Sequence, residues 1–166
     1  MMTALACVFM LSSYFPYFTY VIAQFAGLFI MVAVIEIDLK WATLTYIASS
    51  IIVAIIAEPE AKMLYILFFG YYPIVKVLLE RTKSRVLEYI LKFVLFNTAI
   101  IFAYAVVAQF IGVELENNST LGNYFLIVLL LMGNVIFPIY DIAVSRVASL
   151  YMYRLHPTVS KIIKGK

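Results

Sequence analysis

The chain has few of the residues from which catalytic and metal sites are usually built. Its 166 residues include one cysteine and one histidine, Cys7 and His156. A single cysteine excludes an internal disulfide and a cysteine-based metal cluster. There is no His/Glu pair at helical spacing for zinc, no serine in a nucleophile elbow and no glycine-rich phosphate loop. We therefore expect no enzyme, no metal site and no cofactor.

Charge is also scarce. Only 13% of the residues are charged and 66% are hydrophobic, whereas soluble domains are about a quarter charged and about half apolar. The apolar residues form continuous runs without period-two alternation, which indicates membrane helices and not a β-barrel. The formal charge of +3 is small, so we expect membrane lipid, and not nucleic acid, as the partner of the basic residues. The N-terminus lacks the features of a cleaved signal peptide, so the first run is predicted to be a span.

Six apolar runs are separated by charged or turn-forming segments. They cover approximately residues 2–15, 20–35, 41–57, 61–79, 86–113 and 121–153, followed by a tail at 154–166. A chain of this length has room for about six spans of ~20 residues and little else. The predicted fold is an all-α integral membrane protein, with one transmembrane domain built as a six-helix bundle.

The basic residues give this bundle an orientation. Eleven of the 12 Lys and Arg residues fall on one side of it, namely Lys40, Lys76, Arg81, Lys83, Arg85, Lys92, Arg146, Arg154, Lys161, Lys164 and Lys166. Lys62, in the loop that also holds Glu58 and Glu60, is the exception. Loops rich in Lys and Arg face the cytoplasm. We therefore expect an integral membrane protein with both termini on the cytoplasmic side.

Polar and aromatic residues in the outward half and near the midplane predict a binding pocket. The candidate substrate-binding residues are Tyr14, Tyr17, Gln24, Asn97, Gln109, Asn123 and Asn134. Apolar walls with aromatic surfaces and a few polar anchors suit a small, partly aromatic or apolar solute. Two alternatives to this pocket stay open. In the first, the amides bond helices to one another instead of binding a solute. In the second, the aromatic run at 14–20 anchors the chain at the membrane interface instead of forming a lid over the pocket.

Asp141 is the one acid well inside an apolar run. A lone buried carboxylate is costly, so we expect a cationic partner from the fourth or fifth span, where Lys76 and Lys92 lie at similar depth. A structural ion pair and a proton relay are both open interpretations of this residue.

Two prolines fall within the predicted spans. Gly70-Tyr-Tyr-Pro73 interrupts the fourth run, and Pro138 lies inside the sixth. Proline removes a backbone hydrogen bond and kinks a helix, and a neighbouring glycine eases the bend. The kinks either shape a shared cavity or serve packing alone.

Taken together, six short helices, cytoplasmic termini and an aromatic first outward loop resemble the substrate-binding S components of energy-coupling factor (ECF) transporters. Further similarity lies in the Gly70–Pro73 segment and in Asn134-x-x-x-Pro138. The resemblance implies a vitamin-like molecule bound on the outward side. It also implies a complex with a transmembrane coupling subunit and two cytoplasmic ATPases, which supply all ATP hydrolysis.

A docking surface for that partner is predicted in two places. S components often carry Ala-x-x-x-Ala in the first helix, where the coupling subunit packs; here Thr3-x-x-x-Cys7 is the nearest small-residue pair. The candidate docking residues are Ala4, Cys7, Arg81, Lys83 and Arg85. The competing class is a six-helix membrane scaffold without a solute, similar to the bacterial rod-shape protein MreD.

Overall fold

The computed structural model describes residues 1–15, 18–82, 84–111, 120–154 and 156–157, without the side chains of residues 20, 107–111, 120–123 and 125. All regular structure in these ranges is helical. The helices are α1 (Met2–Leu11), α2 (Thr19–Glu36), α3 (Leu39–Ile56), α4 (Pro59–Leu64), α5 (Tyr72–Glu80), α6 (Arg85–Ile111) and α7 (Thr120–Arg154). A 3-10 turn (Ser12–Tyr14) follows α1, and a π-helical turn (Tyr65–Phe69) follows α4.

Long apolar helices make up most of the chain, so the prediction of an all-helical protein suited to a membrane is confirmed. Within the described ranges, four stretches are long and apolar enough to cross a bilayer, namely Leu39–Ile56, Pro59–Glu80, Arg85–Val106 and Leu126–Arg154. Two shorter apolar helices, Met2–Tyr14 and Val21–Glu36, coincide with the first two predicted spans. The number of crossings and the orientation stay predictions.

The chain forms two compact units. Unit 1 comprises Met1–Leu78 and Ala143–Lys166, and unit 2 comprises Leu79–Ile142. Both boundaries lie within helices, α5 and α7, so no linker composition marks them. The sequence, which predicts a single transmembrane domain, gives no sign of this division.

Small residues on α2 bring the helices of unit 1 together. Ala23, Ala26, Ile30 and Ala33 recur at helical spacing along one face of α2 and are fully buried. Side chains this small let neighbouring helix backbones approach closely, which is how membrane helices gain packing contacts. The same core takes in residues of α1, α3, α4 and the π-helical turn, including Cys7, Met10, Val53, Ala61 and Tyr65.

Ser13 joins three helix ends in unit 1. The Thr19 hydroxyl, at the start of α2, donates to the Ser13 carbonyl at 3.5 Å. The backbone N–H of Glu58, just before α4, donates to Ser13 Oγ at 3.2 Å. Pro59 then opens α4, at a position where a missing N–H costs nothing. The ends of α1, α2 and α4 are thereby fixed to one another.

Aromatic rings hold α6 against α7 in unit 2. The ring of Phe137 stacks on Phe96, with centroids 4.5 Å apart, and meets Phe93 edge to face at 5.4 Å. Gly133 lies beneath the tip of Phe96, where a Cβ atom would come within 3.0 Å of Phe96 Cζ. One helix, α7, continues through Pro138.

Candidate functional site

The fourth apolar segment is interrupted where the sequence predicts. α4 ends at Leu64 and α5 begins at Tyr72, with the π-helical turn between them. In this turn the N–H of Gly70 bonds to the carbonyl of Tyr65, five residues back, at 2.8 Å. In an α-helix that N–H would bond to the carbonyl of Ile66, which is therefore released to accept from elsewhere.

Hydroxyl groups of α3 satisfy the interrupted backbone. The Tyr46 hydroxyl donates to the released carbonyl of Ile66 at 2.7 Å. Ser49 Oγ donates to the Tyr46 carbonyl at 2.9 Å, so the 2.7 Å hydrogen bond between Ser49 and Tyr65 has the phenol as its donor. Ser49 and Tyr65 are fully buried. We call Tyr46, Ser49 and Tyr65 the tyrosine–serine cluster.

Proline and glycine complete the interruption. Pro73 has no N–H and so cannot donate the α-helical hydrogen bond to the Phe69 carbonyl. Gly27 of α2 lies directly against that carbonyl, since a Cβ atom on Gly27 would be 2.4 Å from Phe69 O. On the α3 side Gly70 packs on Tyr46, where a Cβ would be 2.7 Å from ring atom Cε2. Because neither glycine has a side chain, α2 and α3 can pack closely against the interrupted segment.

Aromatic rings surround the same place. The Tyr46 ring lies 6.2 Å from that of Tyr71 and 6.3 Å from that of Tyr65. Phe68 lies 5.0 Å from Tyr72, which is itself fully buried. Rings of this kind offer apolar and π contacts, and the hydroxyls offer hydrogen bonds. The surroundings of the break therefore combine aromatic surface with hydrogen-bonding hydroxyls.

In unit 2, Asn97 and Asn134 form a reciprocal amide pair. Each side-chain nitrogen donates to the other's oxygen, at 2.9 and 2.8 Å. Each also donates to the carbonyl four residues back in its own helix, Phe93 at 2.8 Å and Leu130 at 2.7 Å. An amide NH₂ has two donors, and all four N–H groups are in use. Of the two sequence interpretations, this arrangement favours amides that bond helices to one another.

Replacing one member of the amide pair is expected to cost more than replacing both. Asn97→Leu should lower the free energy of unfolding by about 1 kcal/mol, since it leaves the Asn134 amide without its partner. Adding Asn134→Leu should recover most of that loss, because both polar groups are then gone. Titration with SDS against helical circular dichroism measures the four free energies. Additive losses would show that the two amides do not act as a pair.

The predicted cationic partner of Asp141 is Lys92. Lys92 Nζ lies 3.1 Å from Asp141 Oδ2, 2.7 Å from Glu88 and 3.4 Å from Glu80, with only 2% of the lysine side chain exposed. The expectation of a cation from the fourth or fifth span is confirmed, and the fifth supplies it. We call Lys92, Glu80, Glu88 and Asp141 the Lys92 clasp.

A third polar group, in unit 1, was not anticipated from the sequence. Oε1 of Glu36, at the end of α2, accepts from the Tyr151 hydroxyl at 2.8 Å and lies 3.0 Å from His156 Nδ1. Only 3% of the Glu36 side chain is exposed. These contacts hold the C-terminal part of α7 to the end of α2. Sequence analysis places His156 in the tail and assigns it no partner.

The predicted binding residues are distributed over both units. Tyr14 ends the 3-10 turn and is 63% exposed, whereas Gln24 is half-buried in the first third of α2. Asn97 and Asn134 are brought together, as described above. Tyr17 and the side chains of Gln109 and Asn123 lie outside the described residues. Beside Asn97 runs an open groove whose lining comes from α6 alone, namely Val86, Tyr89, Ile90, Phe93, Val94, Asn97, Thr98 and Ile101.

The predicted docking residues differ in their exposure. Ala4, Arg81 and Arg85 are exposed. Cys7 is buried in the core of unit 1, facing away from the exposed side of α1. Lys83 lies outside the described residues. The first helix thus presents Ala4, and not Cys7, at its surface.

Within the described part of the chain no group of three or more His, Cys, Asp and Glu side chains is arranged to hold a metal ion. Comparison with protein-family models, curated proteins and solved structures finds no match to this chain.

Proposed function

We propose that the protein is the solute-binding membrane subunit of a small-molecule importer of the ECF type, and that the solute binds beside the interrupted fourth span. One observation carries this proposal: the helix is broken within an apolar segment, and the Tyr46 hydroxyl bonds the carbonyl that the break releases. Such a break is expensive in a bilayer.

The depth of the break supports a binding role. Irregular backbone at membrane depth is tolerated only where protein buries it or where it lines a cavity. Transporters place discontinuous helices of this kind at solute sites near the midplane. In Pro59–Glu80 the π-helical turn starts about 9 Å along the helix axis from Pro59, at ~1.5 Å per residue. With the predicted orientation, that point lies in the outward half of the bilayer.

The residues beside the break indicate the class of solute. Tyr46 and Tyr71 supply ring surface beside the interruption. Gln24 is half-buried and lies one turn outward of Gly27, on the same side of α2. An amide and phenol rings together suit a small, partly aromatic molecule that carries at least one hydrogen-bonding group.

The proposal includes the partners and location that the family resemblance implies. A transmembrane coupling subunit would contact the exposed face of α1 around Ala4 and the turn with Arg81 and Arg85. Cytoplasmic ATPases would supply the energy. The protein would lie in a bacterial cytoplasmic membrane, with both termini on the cytoplasmic side and the basic residues against anionic headgroups.

A membrane scaffold without a solute is the second candidate. The amide pair favours it, because Asn97 and Asn134 have all their N–H donors committed to the protein. The groove beside Asn97 is open along α6 and lined by a single helix. Such a surface suits a neighbouring helix or lipid better than a small solute.

Native mass spectrometry on protein extracted with its lipids separates the two candidates. Importer function predicts that the chain retains a small molecule or co-purifies with a coupling subunit and ATPases. Recovery with cell-wall or division proteins, and with no retained molecule, would contradict the proposal in favour of a scaffold.

A matched pair of variants tests the position of the site. Tyr46→Phe removes only the hydroxyl that bonds Ile66, and should lower the retained fraction of the small molecule. Tyr153→Phe makes the same chemical change at a side chain that is 84% exposed, and should leave the fraction unchanged. Equal retention in both variants would show that the small molecule does not bind beside the break. Gln109→Leu and Asn134→Leu, compared in the same way, report whether the outward pocket extends to those residues.

A further inference from the structure

The open groove along α6 leads to a positively charged end. Its lining residues recur three or four positions apart from Val86 to Ile101, so they form one stripe along the helix, which we call the α6 groove. Arg85 lies four positions before Tyr89 and therefore continues the stripe at its N-terminal end. Arg85, and Arg81 in the turn before α6, are exposed. Within the described part of the chain neither arginine makes an ion pair.

The carboxylates near this end of unit 2 are bonded to another cation. In the Lys92 clasp, the lysine ammonium lies 3.4 Å from Glu80, 2.7 Å from Glu88 and 3.1 Å from Asp141. The two arginines are therefore left as exposed cations. A guanidinium group of this kind can donate paired hydrogen bonds to a phosphate.

The polar side chains in the middle of the α6 groove are bonded within the protein. Both N–H groups of Asn97 are used, one by Asn134 and one by the Phe93 carbonyl. The Thr98 hydroxyl donates to the Val94 carbonyl at 2.8 Å. The groove therefore presents a mainly hydrocarbon surface with no amide or hydroxyl donor to spare at these two positions. Such a surface suits a hydrocarbon chain, which needs no hydrogen bond.

The α6 groove is long enough to hold an acyl chain through a whole leaflet. Val86 and Ile101 are 15 positions apart (101 − 86), which is ~22 Å along the helix axis at ~1.5 Å per residue. The hydrocarbon core of a bilayer is about 30 Å thick, so a leaflet contributes about half of that. Arg85 is the first residue of a stretch long enough to cross a bilayer, Arg85–Val106. In a membrane it would lie at the level of the headgroups.

We propose that the α6 groove binds one anionic phospholipid, with an acyl chain along the groove and the phosphate at Arg85 and Arg81. When the groove fills, one lipid chain takes the place of another, so the acyl chain adds little to affinity. The preference for an anionic lipid comes from the two arginines. Each contributes about a fivefold factor, equivalent to ~1 kcal/mol. Tyr89, one turn from Arg85 and 53% exposed, lies where tyrosine rings meet headgroups.

Charge favours a lipid over a second copy of the chain in this groove. Two copies packed symmetrically through α6 would present the same surface to each other. Their Arg85 side chains would then meet at the same end of the interface, where like charges repel. A phosphate at this position is attracted instead.

The lipid site does not depend on solute binding. It follows from the surface of unit 2 alone and would serve an importer or a scaffold equally. Because Arg81 and Arg85 are also the residues proposed to meet a coupling subunit, the test uses the purified chain, where no partner competes for them.

Native mass spectrometry of the delipidated chain in detergent tests the headgroup contact. The chain is titrated with phosphatidylglycerol and with phosphatidylcholine of identical acyl chains. The first equivalent of phosphatidylglycerol should bind about 25-fold more tightly, from two arginines at about fivefold each. Arg85→Gln should reduce this preference about fivefold, and Arg81→Gln/Arg85→Gln should remove it. The control Arg154→Gln makes the same change at an exposed arginine of unit 1 and should keep it.

A second pair of variants tests the groove itself. Val94→Trp places a large ring in the α6 groove and should abolish the tight first binding step of phosphatidylglycerol. Val135→Trp makes the same change on α7, at a side chain that is 69% exposed and outside the groove lining, and should leave that step unchanged.

Four results would overturn the proposal. The first is equal affinity for the two lipids, and the second is equal loss of preference in Arg85→Gln and Arg154→Gln. The third is equal binding by the two tryptophan variants. The fourth is a dimer of the wild-type chain that Val94→Trp dissociates, because a second copy would then occupy the groove.

Discussion

Gly27→Ala is expected to lower the free energy of unfolding by about 3 kcal/mol, the upper part of the usual cost of overpacking a core. The added Cβ would lie 2.4 Å from the Phe69 carbonyl oxygen, a backbone atom that cannot rotate away. Either α2 or the broken fourth segment must move, and the contacts of both are then lost. Alanine is the better helix former by about 1 kcal/mol, so the steric loss has to exceed that gain. SDS titration against helical circular dichroism gives the difference.

Gly133→Ala is the matched control for this variant. It makes the same change in the interior of a helix, but the Cβ meets the ends of side chains, Phe96 Cζ and Ile100 Cδ1, at 3.0 Å. Those ends can shift by a few tenths of an ångström, so we expect a loss well under that of Gly27→Ala. Equal stability of the two variants would mean that α2 does not rest on the Phe69 carbonyl.

Lys92→Met is expected to cost about 3–5 kcal/mol, the range found when one member of a buried ion pair is removed. Methionine fills a similar volume, so the loss reports charge more than packing. Asp141, at 9% exposure, is the carboxylate that suffers most, since Glu80 at 42% can turn to water. Thermal unfolding in detergent, followed by tyrosine fluorescence, measures the loss.

Two further variants define the origin of that loss. Lys92→Met/Asp141→Leu should regain more than half of it, because apolar replacement of a whole buried pair is often neutral. Lys62→Met removes an ammonium whose hydrogen bond to the Ala54 carbonyl is exposed, and should change stability little. If the double variant is no more stable than Lys92→Met, the charge of Asp141 is not what the lysine compensates.

The sequence predicted the features that depend on local chemistry. Gly70 and Pro73, a glycine and a proline three residues apart, were sufficient to indicate the break in the fourth segment, whereas Pro138 alone does not end α7. Asp141 indicated a cationic partner, because a carboxylate in an apolar run must be compensated. The helix bounds also lie close to the predicted runs, since hydrophobic length alone determines them.

Features that arise from contacts between distant residues could not be predicted. Tyr46 and Ile66 are 20 positions apart, and Glu36 and Tyr151 are 115 apart; nothing in either local pattern pairs them. Tertiary packing, and not the local sequence, determines that the hydrogen bonds of residues 65–69 follow the π-helical pattern. The division into two units falls inside α5 and α7, where no linker-like or turn-forming sequence marks it. For the tyrosine–serine cluster, the available sequence signal was Ser49 and Ser50, two adjacent hydroxyl residues within an apolar run.

The side of the membrane that we assign to the proposed binding site follows from the distribution of basic residues. The tyrosine–serine cluster lies in the outward half of the bilayer only if the basic loops are inside. The proposed docking residues Arg81 and Arg85 would lie on the cytoplasmic side, where the coupling subunit is expected to meet them, only under the same condition. Membrane topology is therefore the property on which the proposed function most depends.

Site-directed labelling of two cysteines measures that topology directly. In the Cys7→Ser background, Asn118→Cys and Lys83→Cys are each treated in intact cells with a thiol reagent that does not cross the membrane, and again after the membrane is made permeable. Six crossings with both termini inside predict that position 118 is labelled in intact cells and that position 83 is labelled only after permeabilisation. Labelling of both positions in intact cells, or of neither position until the membrane is made permeable, would contradict the six-span arrangement, and the outward binding site with it.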